Sequence, residues 1–91
     1  MIRLNVFIQV EKENKAKVLE ASKELTEASL KEAGCIAYDI FESATRSDVL
    51  MICETWKDAE ALAAHEKTAS FVKNIAVLSD FSKTKIEKFE F

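Results

Sequence analysis

The chain has 91 residues, of which 13 are Lys or Arg and 16 are Asp or Glu, so its formal net charge is −3. We expect a single domain over residues 1–91, because domains commonly have about this length. One glycine, no proline and two cysteines exclude collagen-like, low-complexity and disulfide-stapled chains. The mildly acidic balance offers no basic surface for nucleic acid or for an anionic membrane.

The cysteines and the hydropathy pattern together predict a cytoplasmic protein. Cys35 and Cys53 lie in strand-like runs, which indicates buried thiols in a reducing compartment. The longest apolar run, Val49–Cys53, is far short of the ~20 residues that span a membrane. The first residues do not have the basic, apolar and small-residue regions of a signal peptide.

Residues 1–10 alternate between apolar and other side chains, which indicates a strand. We expect its even positions to pack on helices, which leaves Asn5 and Phe7 on the opposite face. Residues 14–31 carry apolar side chains at helical spacing and predict a helix. Gly34 follows this helix at the position where a left-handed backbone conformation commonly ends one.

The rest of the chain predicts a hairpin, further helices and a last strand. Residues 35–42 and 49–56 are strand-like and are joined by a short turn, so we expect them to pair antiparallel. Asp58 is a suitable N-cap for a helix, and Thr68 or Ser70 for a second short one. Alternation over 83–91 indicates a strand. The order β, α, β, β, α, β predicts an α+β, ferredoxin-like fold with a four-stranded antiparallel sheet.

The hairpin register decides which side chains point away from the helices. Pairing Tyr38 with Cys53 is one self-consistent choice, since paired residues share a face of the sheet. The face away from the helices then presents this mainly apolar set: Asn5, Phe7, Phe41, Leu50, Ile52, Glu54 and Trp56. Such a face is too apolar for water, so we expect a second copy of the chain or a small-molecule ligand to cover it.

Three residues are candidates for chemistry, and each also has a structural interpretation. His65 is the only histidine, and it is either a general base at the mouth of a pocket or a structural side chain. Trp56 is either a pocket wall or a core aromatic. Asn5 is unusual within a strand, and its amide either holds a substrate oxygen or bonds across a subunit interface.

Other patterns favour structure over chemistry. Glu54 lies in an apolar strand, where a buried ion pair with Arg3 or a lysine is expected. One histidine and no C-x-x-C pair predict no metal site. A single glycine excludes glycine-rich phosphate loops and the dinucleotide-binding fingerprint, so we expect no nucleotide cofactor held in that way.

Several segments resemble the antibiotic biosynthesis monooxygenase family over nearly the whole chain, including the first strand with Asn5. They are Gly34 to Ile40, then Glu54-Thr55-Trp56-Lys57-Asp58, then Ala61-Leu62 with His65, and Phe71. The resemblance implies ferredoxin-like subunits that form a dimeric α+β barrel. Two positions depart from the family pattern: Ala33 replaces a frequent proline, and Ser70 replaces a frequent second histidine.

The resemblance also implies a cofactor-independent monooxygenase that oxidises a small quinol or phenol with O2, without metal or flavin. The implied catalytic residues are His65 as general base, Asn5 and Trp56. The implied substrate-binding residues are Phe7, Phe41, Ile52, Glu54 and Phe71. Alternatives are a proton-transfer isomerase of a small carbonyl compound, a non-catalytic binding module and, among the family's relatives, a haem-degrading enzyme.

Overall fold

Seven elements follow one another in the predicted order, in a computed structural model that describes all 91 residues. The strands are β1 (Ile2–Gln9), β2 (Cys35–Glu42), β3 (Val49–Trp56) and β4 (Lys83–Glu90). The helices are α1 (Lys12–Ser29), α2 (Ala59–His65) and α3 (Ala69–Phe81). The strands form one antiparallel sheet in the order β2-β3-β1-β4, which confirms the ferredoxin-like α+β fold. None of the helices combines the length and the apolar character needed to cross a bilayer.

Side-chain caps determine where the two short helices begin. Asp58 Oδ1 accepts a hydrogen bond from the backbone N–H of Ala61 (2.8 Å), and Thr68 Oγ1 accepts one from the backbone N–H of Phe71 (3.1 Å). Each cap of this kind stabilises a helix by about 1 kcal/mol. Both predicted caps are confirmed, with Thr68 in place of Ser70. The caps place His65, at the end of α2, close to Phe71, in the first turn of α3.

The core lies between the sheet and the helices. Along β1 the side chains alternate between buried and more exposed, and the even positions face the helices as predicted. Helix α1 contributes Val18 and Leu25, and α3 contributes Leu78, all of them 1% exposed or less. This burial of apolar surface holds the helices on one face of the sheet, because it removes that surface from water.

The predicted register of the β2–β3 hairpin is wrong by one residue along most of its length. It holds only where Cys35 lies opposite Trp56, and an irregularity between Cys35 and Ala37 then shifts the pairing, so Tyr38 pairs with Glu54. The prediction for β2 holds, because Tyr38 is buried and Phe41 faces away from the helices. The side chains of β3 are reversed, and these four face the helices: Leu50, Ile52, Glu54 and Trp56.

Gly34 joins α1 to β2 at a close approach to α2. Its φ is +82°, in the left-handed region that favours glycine, as the sequence predicts. A Cβ atom at this position would lie 2.5 Å from the Cβ of Ala61. The backbone N–H of Lys57 donates to the carbonyl oxygen of Gly34 (2.8 Å). The connection between α1 and β2 is therefore held directly against the first turn of α2.

Candidate active site

A small cavity of about 100 Å³ lies between the helix face of the sheet and helices α2 and α3. Ten of its fourteen lining residues are hydrophobic, and the other four are Glu54, His65, Glu66 and Thr84. The hydrophobic residues of the wall are Leu4, Val6, Leu25, Tyr38, Ile52, Leu62, Phe71, Ile75, Leu78 and Ile86. A mainly apolar wall with a few convergent polar groups is the usual form of a small-molecule site.

His65 is the last residue of α2 and is only 2% exposed. Its Nδ1 lies 2.8 Å from Oε1 of Glu32, a residue of the connection between α1 and β2. Glu32 was not among the site residues predicted from the sequence. One feature of the sequence could have indicated it: Glu32 lies two residues before Gly34, and the turn at Gly34 packs against α2.

Three aromatic rings surround the imidazole. The ring centroids of Trp56, Phe71 and Tyr38 lie 4.5, 5.0 and 5.8 Å from that of His65. Trp56 is fully buried behind His65, and Phe71 approaches it edge-on. These rings shield the imidazole from water, and two of them, Tyr38 and Phe71, also line the cavity. Tyr38, like Glu32, was not among the predicted site residues.

Glu54 is 5% exposed and has an aromatic partner instead of a cationic one. Trp56 Nε1 donates to Glu54 Oε1 at 2.8 Å. The predicted ion pair with Arg3 is wrong, because Arg3 lies opposite Thr55 on the other face of the sheet. Burial raises the pKa of Glu54 above its ordinary value of 4.5, and the Trp56 hydrogen bond and the nearby His65 oppose this only in part. Burial, followed by the charge of Glu54, also raises the pKa of Tyr38.

The raised pKa of Glu54 predicts a specific dependence of stability on pH. The folded state binds this proton more tightly than the unfolded state, so its stabilising contribution is complete below pH 4.5 and is lost as pH rises through the folded-state pKa. Glu54→Gln keeps an oxygen acceptor for Trp56 but does not titrate. We therefore expect the free energy of unfolding of this variant, relative to the parent, to increase with pH.

Urea denaturation at a series of pH values from about 4 to 8 measures this difference. Glu42→Gln is the matched control, because Glu42 is an exposed carboxylate at the end of the neighbouring strand β2. We expect this control to follow the parent at every pH. If Glu54→Gln also follows the parent, Glu54 binds its proton equally well in the folded and unfolded chain, and the prediction is wrong.

The sheet separates the predicted site residues into two groups. On the helix side of the sheet, four of them line the cavity: Ile52, Glu54, His65 and Phe71. Trp56 lies on the same side and packs against the imidazole. On the opposite side lie Asn5, Phe7 and Phe41. The prediction that Ile52, Glu54 and Trp56 lie on the open face is wrong, because β3 presents its other set of side chains there. Asn5 cannot touch a molecule in this cavity.

Ser70, at the position where the family often has a second histidine, takes no part in the cavity wall. Its carbonyl and hydroxyl oxygens both accept hydrogen bonds from the amide nitrogen of Asn74, at 3.0 and 3.3 Å. Asn74 is 3% exposed, so these bonds satisfy a buried amide within α3. No group of three His, Cys, Asp or Glu side chains lies close enough together to hold a metal ion.

Comparison with known proteins decides the family. The family model described as Antibiotic biosynthesis monooxygenase matches residues 1–76. The chain belongs to the antibiotic biosynthesis monooxygenase family. This confirms the resemblance found in the sequence, and the match includes α2 with His65 and the first part of α3 with Phe71.

Three known proteins are similar to this chain in sequence or in fold. YcnE of Bacillus subtilis (strain 168), which carries a provisional monooxygenase name, is 34% identical over 71 residues, covering 78% of this chain and 75% of YcnE. A conserved protein of unknown function from Bacteroides thetaiotaomicron VPI-5482 is 61% identical, with a TM-score of 0.96 over 99% of this chain and 96% of its own. SnoaB, a cofactor-independent oxygenase from Streptomyces nogalater, is 11% identical and shares the fold, with a TM-score of 0.86 over 99% of this chain and 91% of SnoaB.

Proposed function

We propose that this protein is a cofactor-independent monooxygenase that oxidises a small phenol or quinol with O2 in the cavity beside His65. The observation that carries the proposal is a single imidazole, 2% exposed, in an aromatic cavity and hydrogen-bonded to a carboxylate. Family membership supports it, as do the monooxygenase name of YcnE and the description of SnoaB as a cofactor-independent oxygenase.

In the proposed reaction, His65 removes the hydroxyl proton of a phenol or quinol that has a ring hydrogen ortho or para to that hydroxyl group. The electron-rich anion gives one electron to O2, and the two radicals combine at the ring carbon that bears this hydrogen to form a C–O bond. The resulting hydroperoxide loses water and leaves a quinone. One oxygen atom of O2 enters the product and the other becomes water, so the substrate supplies all four electrons.

The protein contributes deprotonation, orientation and the exclusion of water. Phe71 contributes its ring to the cavity wall, and Trp56 packs against the imidazole outside that wall. One carboxyl oxygen of Glu54 is held by Trp56, and the other makes no hydrogen bond within the chain, which leaves it for an oxygen of the substrate. The cavity of about 100 Å³ is smaller than the roughly 150 Å³ that holds benzene, so a one-ring substrate requires its wall to move outward and a fused-ring substrate requires a larger movement.

An oxygen electrode tests the proposed function directly. The purified protein is supplied with a panel of one-ring and fused-ring phenols and quinols, and we expect O2 uptake of one molecule per quinone formed with at least one of them. The same panel without O2 should give no product. Anaerobic conversion of a small carbonyl compound would instead indicate the isomerase, and thermal stabilisation by ligands without any product would indicate a binding module.

We also propose that the open face of the sheet pairs two copies of the chain. Phe7 and Phe41 are 39% and 49% exposed on this face. Two residues before Phe7 along β1, Asn5 Oδ1 is enclosed but has no hydrogen-bond partner within the chain. An unsatisfied buried acceptor costs about 1–3 kcal/mol. A donor from a second copy would remove that cost while the apolar rings become covered.

The pairing predicts a particle of about twice the 10.3 kDa chain mass, measured by light scattering after size-exclusion chromatography. Phe41→Glu places a charge in the proposed interface, so we expect it to shift the particle toward the mass of one chain. Val72→Glu is the matched control, because Val72 is 59% exposed on α3, away from the open face. A parent protein of single-chain mass, or a Phe41 variant that remains paired, would contradict the interface.

A further inference from the structure

The contact between Glu32 and His65 joins two parts of the chain that are 33 residues apart. The side chain of Glu32 is 19% exposed and that of His65 is 2% exposed, so the hydrogen bond is largely shielded from water. The backbone of this region is held close to α2, through the Lys57–Gly34 hydrogen bond and the approach of Gly34 to Ala61. The fold therefore brings a carboxylate to one particular nitrogen of the only imidazole.

The chemistry of the two side chains decides which atom of the Glu32–His65 hydrogen bond carries the proton. A carboxylate has no hydrogen to donate, so Nδ1 of His65 must be the donor in this hydrogen bond. When the imidazole is neutral, its lone pair then lies on Nε2. Nε2 makes no hydrogen bond within the chain, and the ring lines the cavity beside Glu54.

We propose that Glu32 is a positioning residue that holds His65 in the Nδ1–H form and orients Nε2 as the base toward the cavity. The catalytic part of this inference rests on the proposed function, but the tautomer does not. Glu32 does not line the cavity, so it acts on the substrate only through the imidazole. The aromatic rings around His65 then hold the ring in the plane that the Glu32 hydrogen bond selects.

Nitrogen-15 NMR of the imidazole tests the tautomer without any substrate, and the single histidine gives one pair of ring signals. At pH ~9, where a histidine ring is ordinarily neutral, we expect the parent to show a protonated Nδ1 and an unprotonated Nε2. Glu32→Gln retains an acceptor oxygen and should keep this form. Glu32→Leu has nearly the same size but no acceptor, and should give a mixture of the two tautomers.

Any of three results would overturn the inference. The imidazole of the parent could be protonated on Nε2, the imidazole of Glu32→Gln could lose the Nδ1–H form, or the imidazole of Glu32→Leu could remain wholly in the Nδ1–H form. If Glu32→Leu does not fold, the spectra of the parent and of Glu32→Gln still test the inference, because a specific protonated nitrogen is expected in each. Circular dichroism identifies that case.

Steady-state kinetics test the catalytic part of the inference separately from the tautomer of His65. With an active substrate, we expect Glu32→Leu to lower kcat by about 10- to 100-fold with little change in KM, and Glu32→Gln to recover much of that loss. Equal kcat values for Glu32→Leu and the parent would remove the positioning role. If no substrate is oxidised by the parent at all, the proposed function fails while the NMR result still decides the assignment of the proton.

Discussion

Replacing His65 with alanine is expected to lower substrate-dependent O2 uptake by about 10²- to 10⁴-fold, the usual contribution of a general base. His65 is the only imidazole of the chain, and the other titratable side chains of the cavity wall are Tyr38 and the carboxyl groups of Glu54 and Glu66. A carboxylate is ordinarily a weaker base than an imidazole, so without His65 the electron-rich anion forms too rarely to reduce O2. Initial rates from an oxygen electrode at a saturating concentration of the substrate measure the effect.

The control for this experiment separates lost chemistry from a loosened core. His65 packs against three aromatic rings, so the alanine variant also leaves a hole. Val18→Ala also leaves a hole, smaller than that of the missing imidazole, at a fully buried position of α1 that does not line the cavity, and should retain most of the O2 uptake. Uptake by His65→Ala within a few-fold of the parent would exclude His65 as the base.

Replacing Gly34 with alanine is expected to destabilise the fold by about 2–6 kcal/mol. A left-handed backbone conformation at a non-glycine residue costs about 1–3 kcal/mol, and overpacking costs a similar amount. Both apply here, because φ is +82° and the new Cβ would lie 2.5 Å from Ala61 Cβ. The loss is a large part of a typical total stability of about 5–15 kcal/mol. Urea denaturation monitored by Trp56 fluorescence measures it.

A double-mutant cycle with Ala61→Gly separates the two causes. Removing the Ala61 methyl group relieves the overlap but leaves the backbone strain at Gly34→Ala, so the double variant should be more stable than the sum of the single changes predicts. Glycine in α2 itself costs about 1 kcal/mol, which the single variant Ala61→Gly measures. Simple additivity would mean that the two positions do not compete for space, contrary to the structure.

Local sequence patterns were sufficient to predict the elements. The bounds of β2 and β3 agree with the predicted ones residue for residue, and Asp58 and Thr68 cap the helices that were expected there. Alternation in β1 and the positive φ of Gly34 were also predicted correctly. These features depend on groups a few residues apart, so the identities of neighbouring side chains are enough to determine them.

The face of β3 could not be predicted from its sequence. Both of its faces carry apolar side chains, so alternation does not say which face is covered by helices. The irregularity in β2 between Cys35 and Ala37 shifts the pairing by one residue, and no glycine or proline in that strand indicates it. This shift moves Glu54 and Trp56 from the open face to the side of the cavity.

The sequence by itself determined which elements form and how they are ordered, because local hydrogen bonding and periodicity decide the elements. Residue chemistry marked His65, Trp56 and Glu54 as candidates, and the family resemblance added Phe71. Only the tertiary structure decided that these side chains share one cavity, that Asn5 lies on the other face, and that Glu32 reaches the imidazole. Those relations join residues far apart in the chain, and they follow from strand pairing and from the close packing of α2 on the Gly34 turn.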